Sequence, residues 1–307
     1  MSDRMRRREF IGRVVAGGLA GRLTATAVLA AEPAEGEAAS KPAAASMSHT
    51  KRPVTDLVPL GRTGLRTTRL GMGTGMRGWN HESNQTRLGM EALTKLFRHL
   101  YDRGLRYIDC ADMYGSHVYL RNAMKQIPRE KLTIVTKTVS RDADGVRRDI
   151  ERFRKELGTD YIDVLLLHCL TDGDWTQKLK GPMDVLSEAK QKGVIKAHGC
   201  SCHTLAAIRL AVATPWVEVD LARFNPKGEK MDGPPDQVAP ILRQFHARGA
   251  GVLCMKILGE GTFKDDETIN ASLRFVLRNE NVSAFCIGFE KPDEIDDILK
   301  RCERILA

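Results

Sequence analysis

The sequence predicts an α/β protein in which a single (β/α)8 barrel, the TIM-barrel architecture, follows a signal peptide and a flexible linker. Short apolar runs alternate with amphipathic stretches along most of the chain, as a closed parallel sheet requires. Removal of a processed N-terminus from the 307 residues would leave roughly 260 to 275 residues, about the size of one such barrel. Eight runs are expected to be strands, at 68–73, 107–109, 132–137, 161–168, 197–201, 217–222, 251–255 and 284–287.

Amphipathic helices are expected between these strands. The periodicity of apolar residues predicts them at 86–103, 142–157, 204–213, 235–248, 266–279 and 292–306. Pro235 and Pro292 suit the first turns of two of these helices, because a first-turn residue needs no N–H donor. This alternation of strand and helix is what favours a barrel over an antiparallel sheet.

Four polar residues lie at or just after the ends of consecutive predicted strands. Asp109, Lys137 and His168 each stand where an apolar run stops, and Tyr114 lies in the loop after the first of these strands. In a parallel barrel the catalytic groups cluster at the carboxyl ends of the strands. We therefore expect three of these side chains to share one rim, with Tyr114 reaching in from its loop.

Together the four residue types suit a proton relay. A phenol has a pKa near 10, but a neighbouring ammonium stabilises the phenolate, and a carboxylate keeps that ammonium charged. A tyrosine in such a setting can protonate a carbonyl oxygen while hydride arrives at the carbon. The combination predicts carbonyl chemistry.

The segment Gly-Leu-Arg-Tyr-Ile-Asp-Cys-Ala-Asp-Met-Tyr-Gly at 104–115 resembles the Gly-x-x-x-x-Asp-x-Ala-x-x-Tyr-Gly signature of the aldo-keto reductases. Lys137 and His168 follow at the distances that family shows, and the resemblance runs from about Leu60 to the C-terminus. It implies reduction of an aldehyde or ketone, or oxidation of the alcohol, with hydride from NADP(H) or NAD(H). Tyr114 would then be the general acid, Lys137 its pKa depressor, Asp109 the partner of Lys137, and His168 the donor that orients the carbonyl of a small-molecule substrate.

The resemblance also implies where the dinucleotide lies, since no Gly-x-Gly-x-x-Gly fingerprint follows a strand. The nicotinamide would lie over the barrel mouth, and loops after the last two strands would hold the phosphates. The implied cofactor-binding residues are Gly73, Thr74, Ser201, His203, Lys256, Gly288, Lys291 and Glu294.

Four positions depart from the family pattern. Cys202 and Leu221 stand where Asn and Gln hold the nicotinamide carboxamide, and Ile298 stands where an Asn often contacts adenine. Glu290 stands where an Arg often binds the adenosine 2′-phosphate. We therefore expect weak dinucleotide binding and poor discrimination between the phosphorylated and unphosphorylated forms.

The N-terminal residues predict export. Arg7 and Arg8, followed by Phe10 and a moderately apolar stretch at 14–31, resemble a twin-arginine signal peptide at 1–31. A disordered linker is expected at 32–55 and the barrel at 56–307. The expected partner is the twin-arginine translocation machinery, and the expected location is the periplasm, with tethering to the inner membrane if the signal is not cleaved. Arg22 interrupts the apolar stretch and argues against a stable membrane span.

Two other functions remain open at this point. A barrel of this type can be a non-catalytic nucleotide-sensing or interaction module, and Cys200 with Cys202 can serve a thiol or metal redox protein. Buried unpaired thiols are the expectation for the seven cysteines, and no metal ligands are predicted. The net charge of +9 is scattered and never joins aromatics in a patch, so nucleic-acid binding is not expected. An exported reductase would need an unidentified redox partner, since free dinucleotides are expected to be scarce outside the cytoplasm.

Overall fold

The computed structural model describes residues 51–307, in which eight parallel strands close a barrel. An antiparallel hairpin, β1 (Leu57–Pro59) and β2 (Arg66–Thr68), precedes it. The barrel strands are β3 (Leu70–Gly73), β4 (Tyr107–Asp109), β5 (Thr133–Thr138), β6 (Ile162–Leu170), β7 (Ile195–Cys202), β8 (Val219–Arg223), β9 (Gly251–Met255) and β10 (Ala284–Gly288). Each strand pairs with its neighbour in sequence, and β10 pairs with β3 to close the ring. The predicted (β/α)8 fold is confirmed.

Helices surround the barrel. They are α1 (Asn84–Arg87), α2 (Gly89–Asp102), α3 (His117–Ala123), α4 (Ala143–Leu157), α5 (Trp175–Lys178), α6 (Lys180–Gln191), α7 (Leu205–Ala213), α8 (Pro235–Ala247), α9 (Asp266–Leu277) and α10 (Pro292–Leu306). The prediction of a single helix at 86–103 is wrong, because the helical conformation is interrupted at Leu88, between α1 and α2. Gly89 has a φ of +83°, which a continuous helix does not allow.

Strand alternation separates two apolar layers. Side chains such as Val135, Leu166 and Leu221 fill the barrel interior, where Leu60 from the hairpin joins them. The intervening strand residues face the helices and belong to a much larger core. Because successive strand residues point to opposite faces, the residue types at the strand ends decide what lines the barrel mouth.

The folded body begins before the predicted boundary at residue 56. Val54 is 3% exposed and its carbonyl oxygen accepts a hydrogen bond from the Leu70 N–H at 3.2 Å. The last residues of the linker predicted at 32–55 are therefore part of the ordered body, because Val54 packs in the core.

The signal peptide predicted at 1–31, and the linker up to residue 50, lie outside the described residues. Across 51–307, no helix has the length and apolar character needed to cross a bilayer.

Candidate active site

A buried ion pair forms the floor of the barrel mouth. Lys137 Nζ lies 2.8 Å and 2.9 Å from the two carboxylate oxygens of Asp109 and donates to the Cys110 carbonyl oxygen at 2.6 Å. Burial alone would lower the pKa of the Lys137 ammonium, but Asp109 and Tyr114 outweigh burial and the pKa lies above its ordinary value. Burial also raises the pKa of Asp109, with Lys137 opposing. The pair keeps a positive charge in a site that water does not reach.

Tyr114 lies against this ammonium. Its ring centroid is 4.9 Å from Lys137 Nζ, and the residue ends a short 3₁₀ helix, Asp112–Tyr114. Two glycines pack on the ring, since a Cβ at Gly75 or Gly78 would come within 2.3 Å or 2.4 Å of its carbons. Burial raises the pKa of the phenol, and Lys137 opposes that rise. The sequence predicts that Lys137 lowers the pKa of the phenol. In the structure the effect of burial is larger, so the phenol is protonated in this conformation.

A charged network supports the loop that carries Tyr114. Both terminal nitrogens of Arg152 donate to the Asp112 carboxylate, at 2.6 Å and 2.9 Å, and one also donates to Asp149 at 2.7 Å. Gly115 follows with a φ of +65°, and a Cβ there would lie 2.1 Å from the His81 carbonyl oxygen. The bidentate pair and the glycine turn together determine where the phenol points.

His168 and His203 complete the rim on the other side of Tyr114. The His168 ring stands edge-on to Tyr114 with centroids 5.8 Å apart, and the His203 ring is 6.0 Å from His168. Burial, with help from Lys137, lowers the pKa of His168 well below its ordinary value. Its Nδ1 is buried and has no hydrogen-bond partner in the part of the chain that the structure describes. A neutral imidazole carries one N–H, so His168 can donate to a ligand without carrying charge into the site.

The structure thus brings the four predicted catalytic residues together, and two of them, Asp109 and Tyr114, line one cleft. The cleft is lined by Asp109, Tyr114 and the loops after β9 and β10. Three of the predicted cofactor-binding residues also line it: Gly73, Lys256 and Gly288. Its glycine-rich wall exposes main-chain atoms to any ligand inside.

Ser201 is suited to a polar ligand at the mouth. It is fully buried on β7, and its hydroxyl has no hydrogen-bond partner among the described residues. A buried hydroxyl without a partner costs free energy unless a ligand or water satisfies it. Leu221, where the family pattern places a Gln, lies instead in the apolar barrel interior and offers no such group. The observed residues therefore fit one polar contact to a carboxamide at this place.

Other predicted cofactor contacts are already engaged within the protein. The Thr74 hydroxyl donates to the Asp109 carbonyl oxygen at 2.9 Å and contacts the Ser116 hydroxyl at 2.8 Å. Lys256 Nζ lies 2.5 Å from Glu260 Oε1, and both residues have left-handed φ values near +60°. Such strain is concentrated at ligand-binding loops.

The N-terminus of α10 is occupied by side chains of the protein. Glu294 accepts hydrogen bonds from the main-chain N–H groups of Glu290 at 2.7 Å and Lys291 at 3.3 Å. Glu290 itself accepts a hydrogen bond from the Asn84 amide at 2.7 Å. Ile298 is buried in the core. An incoming phosphate would therefore meet two carboxylates where a helix N-terminus usually attracts anions.

Two basic residues at the mouth were not identified from the sequence. Arg223 ends β8 two residues after Leu221 and pairs with Asp232 at 2.8 Å. The strand-end signal that identified His168 applies to it as well, but the predicted strand stopped at residue 222. Arg141 lies in the loop after β5 and donates to the His168 carbonyl oxygen at 2.6 Å. No motif marked Arg141, because its partner is a main-chain atom.

We predict that His203 makes the protein acid-sensitive. Burial, followed by Arg223, Lys256 and Lys137, lowers its pKa to about 3. The unfolded ring takes up a proton near pH 6.5, so the unfolded state binds more protons as the pH falls below that value and stability is lost. Between pH 7 and pH 5, wild type should lose about 2 kcal/mol more unfolding free energy than His203→Gln.

Urea unfolding at the two pH values measures this difference. The exposed His246, changed to Gln, serves as the control and should leave the pH dependence of wild type intact. Equal losses in wild type and His203→Gln would show that His203 is not held neutral by the fold.

Comparisons with known proteins agree with this geometry. Residues 69–272, more than half of the chain, match the model of the aldo/keto reductase family. A relative from Glycine max is 24% identical over 221 residues, 67% of this chain and 60% of that protein. The NADH-specific methylglyoxal reductase of Escherichia coli (strain K12) is 25% identical over 213 residues, 61% of this chain and 63% of that protein.

The chain thus spans less than two thirds of the length of these curated relatives. A solved aldo-keto reductase from Bacillus halodurans superposes with a TM-score of 0.66 at 17% identity, covering 81% of this chain and 91% of that one, which is a likeness of fold. The family model and the strand-end residues lead to one conclusion. The chain belongs to the aldo/keto reductase family.

Proposed function

We propose that this protein reduces a small aldehyde or ketone, or oxidises the corresponding alcohol, by hydride exchange with a nicotinamide dinucleotide. The observation that carries the proposal is the buried Lys137 ammonium, held by Asp109 and lying 4.9 Å from the centre of the Tyr114 ring at the edge of the cleft. A structural ion pair would not need a phenol beside it. A proton-transfer site does.

Tyr114 is the proton donor to the carbonyl oxygen. Because burial raises the pKa of the phenol, the proton is present at neutral pH before the reaction begins. As the phenol loses that proton, Lys137 stabilises the phenolate electrostatically, and Asp109 keeps Lys137 charged throughout. His168 donates a hydrogen bond to the same carbonyl oxygen and fixes its direction.

The cleft fits the dinucleotide that this chemistry needs. A bound nicotinamide supplies hydride to the carbonyl carbon. Ser201 would bind the carboxamide, and the main chain at Gly73 and Gly288 would line the cleft around the cofactor. Lys256 would contribute a positive charge near the phosphates if its pairing with Glu260 loosens on binding.

Substitution of Tyr114 by Phe tests the proton donor. The variant keeps the ring that packs on Gly75 and Gly78 and loses only the hydroxyl, so reduction should fall by roughly 10² to 10⁴. Dinucleotide affinity should be unchanged. The measurement is NADH or NADPH oxidation with methylglyoxal, the substrate in the name of the Escherichia coli relative, as the first probe.

Tyr119→Phe, on the neighbouring helix α3, is the matched control and should keep full activity. If Tyr114→Phe also keeps most of its activity, the proton comes from another group, and His168 is the next candidate. Dinucleotide binding by wild type without turnover of any carbonyl compound would favour the non-catalytic sensing barrel.

The dinucleotide is expected to bind weakly and with little preference between its phosphorylated and unphosphorylated forms. Glu290 and Glu294 lie at the α10 N-terminus, and Lys291 offsets only part of their charge. Glu290→Arg should tighten NADPH binding by about tenfold, equivalent to about 1.4 kcal/mol, and leave NADH unchanged.

Fluorescence titration with each dinucleotide measures both affinities. Glu280→Arg makes the same change of charge before β10, at the opposite end of the barrel from its mouth, and should alter neither affinity. A hundredfold preference for NADPH in wild type, or an equal effect of Glu290→Arg on both forms, would place the adenosine end elsewhere.

We also propose export through the twin-arginine route, on the strength of Arg7, Arg8 and Phe10 in the sequence. The translocation machinery reads the arginine pair and tolerates lysine poorly, so replacing both arginines by lysine should retain the full-length protein in the cytoplasm. Cell fractionation with immunoblotting measures the distribution. Recovery of the double-lysine protein in the periplasm would disprove the signal.

A further inference from the structure

A cluster of two thiols and a carboxylate lies behind the barrel wall, on the side away from the cleft. Cys200 and Cys202 point from β7 into the core between sheet and helices, and Asp220 on β8 is the register partner of Cys200. All three residues are 0% exposed. None of them takes part in the proposed hydride transfer.

Two of the three distances between the ligand atoms match the edges of a tetrahedral metal site. Cys200 Sγ lies 3.8 Å from Cys202 Sγ and 3.7 Å from Asp220 Oδ1, and the three atoms all lie within 4.8 Å of one another. Around zinc, bonds of about 2.3 Å to sulfur and about 2.1 Å to oxygen give tetrahedral edges of about 3.8 Å for S···S and about 3.6 Å for S···O. The two measured distances agree with these edges to about 0.1 Å.

The carboxylate lacks a satisfying environment within the protein. Among the described residues Asp220 Oδ2 is buried without a hydrogen-bond partner, and Oδ1 accepts from the Cys200 thiol, which is a weak donor. A buried carboxylate in this state is costly unless it is protonated or bound to a cation. Arg248 acts electrostatically on both Asp220 and Cys200, while its own terminal nitrogen donates to the Val217 carbonyl oxygen at 2.7 Å.

The charges also favour a divalent cation here. Two thiolates and one carboxylate carry three negative charges, so a divalent ion leaves one, which Arg248 opposes, while the nearby Asp232 is itself paired with Arg223. A second cluster, His168, Cys169 and His203, has ligand atoms equally close together. It lies beside Lys137, Arg141 and Lys256, whose positive charges oppose a metal cation. The surrounding charges therefore favour a metal ion at the first cluster rather than at the second.

The position of the cluster between β7 and β8 gives the proposed site a structural role. The β7–β8 ladder has only two register pairs, Gly199 with Val219 and Cys200 with Asp220, whereas β6 and β7 pair at six positions. A metal bound by both strands would cross-link this short ladder. It would also hold the main chain on both sides of Ser201, whose side chain lies on the opposite face of β7, toward the barrel interior.

We propose that Cys200, Cys202 and Asp220 form a structural site for a divalent metal ion of the zinc class. The thiols release their protons to solvent as they bind, and the described residues supply three of the four ligands that such an ion takes. The site stabilises the β7–β8 ladder and takes no part in proton or hydride transfer.

The test is metal analysis of the full-length protein purified without chelator after growth with added zinc. We expect about one zinc per chain by mass spectrometry, and its loss in the Cys200→Ser, Cys202→Ser double variant. Cys302→Ser, which changes an equally buried thiol on α10, is the matched control and should retain the metal. Asp220→Asn keeps the shape of the side chain and should weaken zinc retention in competition with a chelator.

Cobalt reconstitution of wild type keeps the test valid if the double variant fails to fold. Thiolate ligands give sulfur-to-cobalt charge-transfer absorption in the near ultraviolet, whereas an imidazole-dominated site gives little. Wild type that takes up neither metal, or that retains zinc in the double variant, overturns the proposal. Loss of zinc in His203→Gln but not in the cysteine variants would place the metal at the barrel mouth and overturn it as well.

Discussion

The site depends on one electrostatic constraint: an ammonium group must stay charged in the interior of the barrel mouth. Lys137 is fully buried, and its hydrogen bonds to Asp109 and the Cys110 carbonyl oxygen compensate for its lost hydration. Removing one partner of such a pair typically costs about 3–5 kcal/mol, whereas apolar residues in place of both are often neutral. Stability therefore does not explain the pair. Chemistry does, because a buried positive charge acts strongly on a phenol beside it.

The remainder of the mouth supports that charge and the phenol. Glycines at 75 and 78 let the loop approach the Tyr114 ring, and the Asp112–Arg152 pair fixes the short helix that carries it. The imidazoles on the far side are held neutral, which avoids further positive charge beside Lys137. Each of these features limits the positions that the phenol hydroxyl can take, and positional precision is what proton transfer requires.

Because successive side chains of a strand point to opposite faces of the sheet, one strand segment contributes side chains to both faces. On β7, Ser201 points to the barrel interior while Cys200 and Cys202 face the helices, and on β8 Leu221 and Asp220 divide in the same way. The consequence is that adjacent residues such as Asp220 and Leu221 have separate roles. Leu221 affects the cofactor side only, whereas Asp220 belongs to the cluster behind the wall.

The sequence by itself determined the barrel, its eight strands and the four residues at the mouth, because strand periodicity and strand-end positions are local properties. It also marked Cys200, Cys202 and Glu290 as unusual. Only the tertiary structure decided that Asp220 meets the two thiols, that Glu294 occupies the α10 N-terminus, that Arg152 supports Tyr114, and that burial outweighs Lys137 in the pKa of the phenol. These outcomes depend on distances and desolvation between residues far apart in the chain, which no local pattern encodes.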